Sequence, residues 1–229
     1  MRDSERPPVL AQQRYAAARQ KFGGMNLAER FAYIHNNNLW GASRSVSGLG
    51  SEPEATSALI TDLPIILAKL GVKTMLDAPC GDAKWITSID LGGIRYVGVD
   101  IVAELIAANI VRSGTLGSFL VRDITRDPLP AADAVLCRDC LVHLSFDNIA
   151  RAVANLSTSG ARWLIATTFP ELERNQDCED GDWRALNFEN APFCWPAPIE
   201  LLNEQCVEGG GGWRDKSLGV WEIHQLPKG

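Results

Sequence analysis

The chain has 229 residues, 46% of them apolar, enough to bury one sizeable core, and it carries a formal net charge of −6. That balance lacks the basic excess needed to neutralise a phosphate backbone, so a long nucleic-acid footprint is disfavoured and a small acceptor fits better. No stretch reaches the ~18 apolar residues of a membrane span, and "MRDSERPPVLAQQRYAAARQKF" has no apolar centre of signal-peptide length, which makes the cytoplasm the expected location.

Residues 1–22 read as a weakly amphipathic helix whose exposed apolar residues would permit a homodimer, and 25–35 as a second helix with Asn26 at its cap. "NNNLWGASRSVSGLGSEPEAT", rich in Asn, Ser and Gly, is a loop. A helix over 53–70 follows, with Leu59, Leu63 and Leu67 on one face; Pro64 is expected to kink or break it, and Gly71 to stop it. From there short apolar runs alternate with helical stretches: strands at 74–78, 95–100, 118–123, 134–137 and 162–168, helices near 82–89, 102–113 and 145–156. Alternation without internal repeats means a parallel α/β sheet with right-handed crossovers. Residues 169–198 are too long and too aromatic for a plain connector and read as a substrate insert, and two runs flanking "GGGGWRDK" read as an antiparallel hairpin over 199–227.

The six cysteines include a C-x-x-C at Cys137 and Cys140. A zinc site would need a second close pair, so buried reduced thiols are expected.

The first strand ends in "LDAPCGD", where a dinucleotide fingerprint would require three glycines and only Gly81 remains. A loop opening on Asp77 suits a ligand with an ammonium group, and Asp100 at the end of strand two is placed to accept both hydroxyls of a ribose. At "LDAPCGD", "GVDI", "RDITRDPLP" and "ADAVLCRDCLVHL" the chain resembles the class I S-adenosylmethionine-dependent methyltransferases over roughly residues 72–168. The resemblance implies a Rossmann-like seven-stranded, mostly parallel sheet ending in an antiparallel hairpin, all in one domain. It also implies S-adenosylmethionine contacts from Asp77, Pro79 and Gly81, from Asp100 and Ile101, from Asp123 and Ile124, and from Arg138. The loop "NNNLWGASRSVSGLGS" resembles the N-terminal element of a narrower subgroup, which adds Trp40 and Ser47 as residues closing over the cofactor. At a finer grain the chain resembles mycobacterial sugar O-methyltransferases of methylmannose polysaccharide synthesis.

"CRDCLVHLS" supplies the chemistry. Asp139 and His143 are four apart, which on a helical turn would put them on one face, with Asp139 orienting a His143 that titrates near neutrality and serves as base for a hydroxyl. Related O-methyltransferases hold a divalent cation with an acidic-x-x-acidic-His cluster here. Val142 stands at the middle carboxylate, so Mg²⁺ held by Asp139 and His143 would need a further donor such as Glu171. A buried, purely structural His143 also stays open.

In the insert, Glu171, Glu173, Trp183 and Trp195 have the chemistry of a carbohydrate wall, with His35 reaching in from the N-terminal side. The expected enzyme is thus an O-methyltransferase acting on a small polar acceptor, a sugar or oligosaccharide. Its rivals are an RNA or other small-molecule methyltransferase and a non-catalytic S-adenosylmethionine-binding module.

Overall fold

The computed structural model describes residues 6–227; residues 1–5, the start of the first expected helix, lie outside them. Seven strands form one sheet: β1 (Thr74–Asp77), β2 (Arg95–Asp100), β3 (Gly117–Val121), β4 (Ala134–Cys137), β5 (Trp163–Thr168), β6 (Glu200–Asn203) and β7 (Ser217–Glu222). Their order is β3-β2-β1-β4-β5-β7-β6, with β1 to β5 parallel and β7 antiparallel to both β5 and β6. The terminal hairpin therefore closes the sheet with its second strand inserted beside β5. Strand order reverses between β1 and β4, so the crevice at their carboxyl ends is where a doubly wound sheet binds its ligand.

Helices α1 (Leu10–Ala18), α2 (Leu27–Asn36), α3 (Pro53–Lys69), α4 (Ala103–Ser113) and α5 (Phe146–Ser157) surround the sheet. Asn26 caps α2 reciprocally: its side chain accepts from Glu29 N at 3.0 Å while Glu29 Oε2 accepts from Asn26 N at 2.9 Å. In α3, Leu59, Leu63 and Leu67 are fully buried, and the helix runs on through Pro64 because this apolar face anchors both sides of it. Among the described residues no helix is long and apolar enough to cross a membrane.

Three elements differ from expectation. Residues 82–89 form a turn and a short 3-10 segment, Ile86–Ser88, rather than a helix, because Gly81 and Ala83 both take positive φ (+54° and +50°). The first helix starts only at Leu10 and tightens into a 3-10 turn at Arg19–Phe22. Residues 169–198 contain no helix or strand, and their Leu186, Phe188 and Trp195 pack in the core with side chains of β4, β5 and β7.

Candidate active site

The sequence of β1 and its sequel explains the floor of the site. Asp77 closes β1 and is paired in register with Gly98 of β2, so Asp100 lies two residues further along the neighbouring strand. Both carboxylates are buried and face one cavity, about 900 Å³ of non-atom space with open solvent included. Asp77 accepts a hydrogen bond from Tyr96 Oη at 2.7 Å, and burial pushes its carboxyl up to about 7. Asp100 accepts from Gly81 N at 3.0 Å and Val102 N at 2.9 Å; burial lifts it to about 6 against the pull of these amides. Two buried carboxylates without a hydrogen-bonded cation form a cradle that a ligand bearing an ammonium and a vicinal diol would complete.

The structure brings the expected cofactor residues to this one cavity. Asp77, Pro79 and Gly81 line it from the first loop, and Asp100 and Ile101 from the β2 end. Asp123 and Ile124 follow from the turn after β3, Arg138 from the end of β4, and Trp40 and Ser47 from the N-terminal loop. That loop is tied to the first turn: Asp82 N donates to Ser47 Oγ at 2.7 Å, and Ser45 Oγ donates to Asp82 Oδ2 at 3.0 Å. A Cβ at Gly81 would collide with Ser47 Oγ, so the close approach and the positive φ both require glycine there. Leu27, Phe31 and His35, spaced at four along α2, form a further wall.

A second, smaller cavity adjoins the first, and Trp40, Ser47, Asp139 and His143 line both. The rest of its lining includes Phe169 and Trp183 from the insert, Trp213, Glu208 and Lys216 from the β6–β7 connection, and Val9 at the start of α1. Phe169, Trp183 and Trp213 pack edge to face, with centroids 4.8–5.9 Å apart.

His143 stands in the shared wall, 5.0 Å from the Trp40 ring between centroids. Its Nδ1 lies 2.8 Å from Asp182 O, and a carbonyl only accepts, so Nδ1 carries the proton and Nε2 keeps its lone pair. Nε2 has no hydrogen-bond partner among the described residues. Burial lowers its pKa to about 4 rather than leaving it near neutrality.

Asp139 does not orient His143. Its backbone takes positive φ (+51°), which breaks the helical turn that the i,i+4 spacing presumed. Its carboxylate turns to Lys216 Nζ at 2.6 Å and Arg138 Nη1 at 3.4 Å. Burial alone would raise Asp139; Lys216 and Arg138 hold it well below the usual carboxylate range. Glu204, buried just after β6, completes the cluster by accepting from Arg138 at 2.6 Å and pairing with Lys216 at 3.3 Å.

These placements do not fit a divalent cation. Asp139 is engaged by two cations, and Glu171 is an exposed residue beside Arg214 (3.8 Å) and Asp215 that lines neither cavity. Among the described residues no three His, Cys, Asp or Glu side chains group for a metal, the C-x-x-C included; Cys137 and Cys140 are buried free thiols.

The insert builds less of a wall than expected. Trp195 is buried against Phe188, stacked at 4.1 Å, and Glu173 is exposed; neither lines a site cavity. The insert's carboxylates serve the fold instead: Asp180 accepts from Ser145 N and Asn148 Nδ2, and Asp177 from Phe146 N, capping α5. Only Trp183 of the four faces the second cavity, while His35 faces the first. Sequence reasoning missed Lys216, Glu204, Glu208 and Trp213; the charged "WRDK" just before the final strand marks Trp213 and Lys216, and no local signal marks Glu204 or Glu208.

Residues 76–159 match a family model described as a methyltransferase domain. No curated protein sequence matches the chain. Among solved structures of like fold is Burkholderia thailandensis 1,6-didemethyltoxoflavin-N1-methyltransferase with bound 1,6-didemethyltoxoflavin and S-adenosylhomocysteine, at 18% identity over 93% of this chain and 91% of that one, TM-score 0.58. The methyltransferase domain of a bacterial protein, CtHen1-C, matches at 13% identity over 73% and 98% of the two chains, TM-score 0.55. Human N-acetylserotonin methyltransferase in complex with S-adenosylmethionine matches at 14% identity over 70% of this chain, TM-score 0.49; the chain spans 49% of its length. At these identities the likeness to the first two establishes the fold, the seven-stranded Rossmann-like sheet of methyltransferases.

Proposed function

We propose that this chain, with its methyltransferase fold and the methyltransferase domain matched over residues 76–159, is an S-adenosylmethionine-dependent O-methyltransferase of a small polar acceptor. The observation that carries the reading is the position of His143: in the wall between the carboxylate-floored cavity and the aromatic one, Nδ1 committed to Asp182 and Nε2 free.

In this reading the first cavity holds the cofactor, with Asp77 facing its ammonium and Asp100 its ribose. When bound, S-adenosylmethionine supplies an electrophilic methyl on a sulfonium. The chain's own residues align the acceptor, exclude water and dispose of a proton. A hydroxyl becomes strongly acidic as its oxygen gains the methyl, so even a base with a pKa about 4 accepts its proton at Nε2. The Asp139 charge favours the imidazolium that results, while Arg184 and Lys216 oppose it and so help return the proton to solvent.

A sugar or oligosaccharide is the acceptor class we favour, because the second cavity offers ring faces for stacking beside carboxylates and an ammonium for hydroxyls. The insert glutamates no longer contribute to that case. A ring nitrogen is the second reading, favoured by the aromatic lining and by the 1,6-didemethyltoxoflavin bound in the Burkholderia relative.

The test incubates the protein with methyl-labelled S-adenosylmethionine and panels of mannosides, other glycosides and nitrogen heterocycles, then locates the label by mass spectrometry. Label on a hydroxyl oxygen, lost in His143→Ala, is expected. Label only on nitrogen would overturn the O-methyl assignment, and no transfer to any panel member would overturn both.

A further inference from the structure

We propose that the acceptor carries, besides the hydroxyl that is methylated, a separate ammonium group that Glu208 receives in the aromatic cavity. The inference rests on the reading of the second cavity as the acceptor site and adds the charge of the molecule it takes.

The charge inventory of the cavity leads there. Besides a neutral His143 and the Cys206 thiol, the ionisable lining residues among those described are Asp139, Glu208 and Lys216. Asp139 and the underlying Glu204 are balanced by Lys216 and Arg138, two anions against two cations, all within 3.4 Å of a partner. Glu208 is left over: it is half-buried, lines the cavity, and its carboxylate has neither a hydrogen bond nor an ion pair among the described residues. Burial pushes its carboxyl up from the ordinary range, with Asp139 adding to the rise and the Lys216 charge, beyond ion-pair distance, opposing it. A desolvated carboxylate is costly without a partner, and a cationic ligand would supply one.

The aromatic lining fits the same ligand. Trp40, Phe169, Trp183 and Trp213 line the same cavity as Glu208, and Trp faces are the preferred partners of organic ammonium groups. One face of Trp213 is already covered: the Arg6 guanidinium, paired with Asp215 at 2.7 Å, lies 5.1 Å from its ring centroid. An acceptor with hydroxyls and an ammonium, such as an amino sugar or amino alcohol, satisfies the carboxylate and the rings together, whereas a phosphorylated or carboxylated acceptor would face Glu208 directly.

The test uses two isosteric probes, choline and its uncharged analogue 3,3-dimethylbutan-1-ol, titrated by tryptophan fluorescence against the full chain saturated with S-adenosylhomocysteine. Choline is expected to bind at least tenfold more tightly than the neutral alcohol, and Glu208→Gln to bring the two to parity while its S-adenosylhomocysteine affinity stays within twofold of wild type. Equal binding of the two probes, no binding of choline, or a preference that survives Glu208→Gln would overturn the proposal. Loss of S-adenosylhomocysteine binding by wild type would instead sink the methyltransferase reading, so the two failures are told apart.

Discussion

His143 offers its Nδ1 to the carbonyl oxygen of Asp182 at 2.8 Å, and this one contact from the insert fixes the tautomer of a ring that stands between two cavities. Because burial lowers the imidazole to about 4, it is unprotonated, and so competent as a base, throughout the range above that value. At saturating cofactor and acceptor, kcat should therefore be within twofold between pH 5.5 and 7.5, with its acid limb near 4 and not near the ordinary histidine value. His143→Ala should lower kcat by roughly 10²–10⁴ while cofactor affinity changes less than twofold. An acid limb centred near 6.5, or full activity in the variant, would remove the proposed role.

Asp77 sets a different pH dependence. With its carboxyl raised to about 7, the ionised fraction climbs as pH rises through neutrality, and only the ionised form attracts an ammonium by charge. S-adenosylhomocysteine affinity should rise several-fold from pH 6 to 7.5 in wild type and rise less in Asp77→Asn, where Asp100, raised to about 6, still titrates, as read by titration calorimetry in two buffers of different ionisation heat. Affinity independent of pH in wild type would show that Asp77 does not meet the ammonium.

Lys216 holds Asp139 at 2.6 Å and Glu204 at 3.3 Å with a side chain only 10% exposed. Lys216→Met leaves two buried carboxylates sharing Arg138 alone and should cost about 3 kcal/mol in urea unfolding. A loss below about 1 kcal/mol, the range of a surface pair, would mean that the cluster is solvated.

Asp139 is already occupied by those cations and Glu171 is remote, so catalysis is expected to need no divalent metal. Dialysis against EDTA should leave the rate within twofold; a rate lost to chelator and restored by Mg²⁺ would contradict this.

The difference between what the sequence revealed and what it hid follows distance along the chain. Asp77, Gly81, Asp100 and Asp123 each end a strand or begin the turn after it, so local apolar patterning was enough to bring them to one sheet edge. The pairing of Asp139 with Lys216 spans 77 positions and is set by β7 inserting beside β5, which no local pattern encodes. The i,i+4 spacing of Asp139 and His143 misled because a positive φ at a non-glycine residue is invisible in composition. Likewise Trp195 and Trp183 look alike in sequence, yet one stacks under the sheet on Phe188 and the other faces a cavity. The acidic insert resembled a ligand wall because capping a helix and binding a hydroxyl use the same carboxylates.

The most direct measurement is calorimetric titration of the full chain with S-adenosylhomocysteine, beside Asp100→Asn checked for folding by circular dichroism. Wild type should bind one equivalent, and the variant at least tenfold more weakly, since a charged hydrogen-bond acceptor is worth ~1.5–3 kcal/mol. No binding by wild type, or an Asp100→Asn variant with unchanged affinity, would contradict the assignment of the carboxylate-floored cavity to the methyl donor.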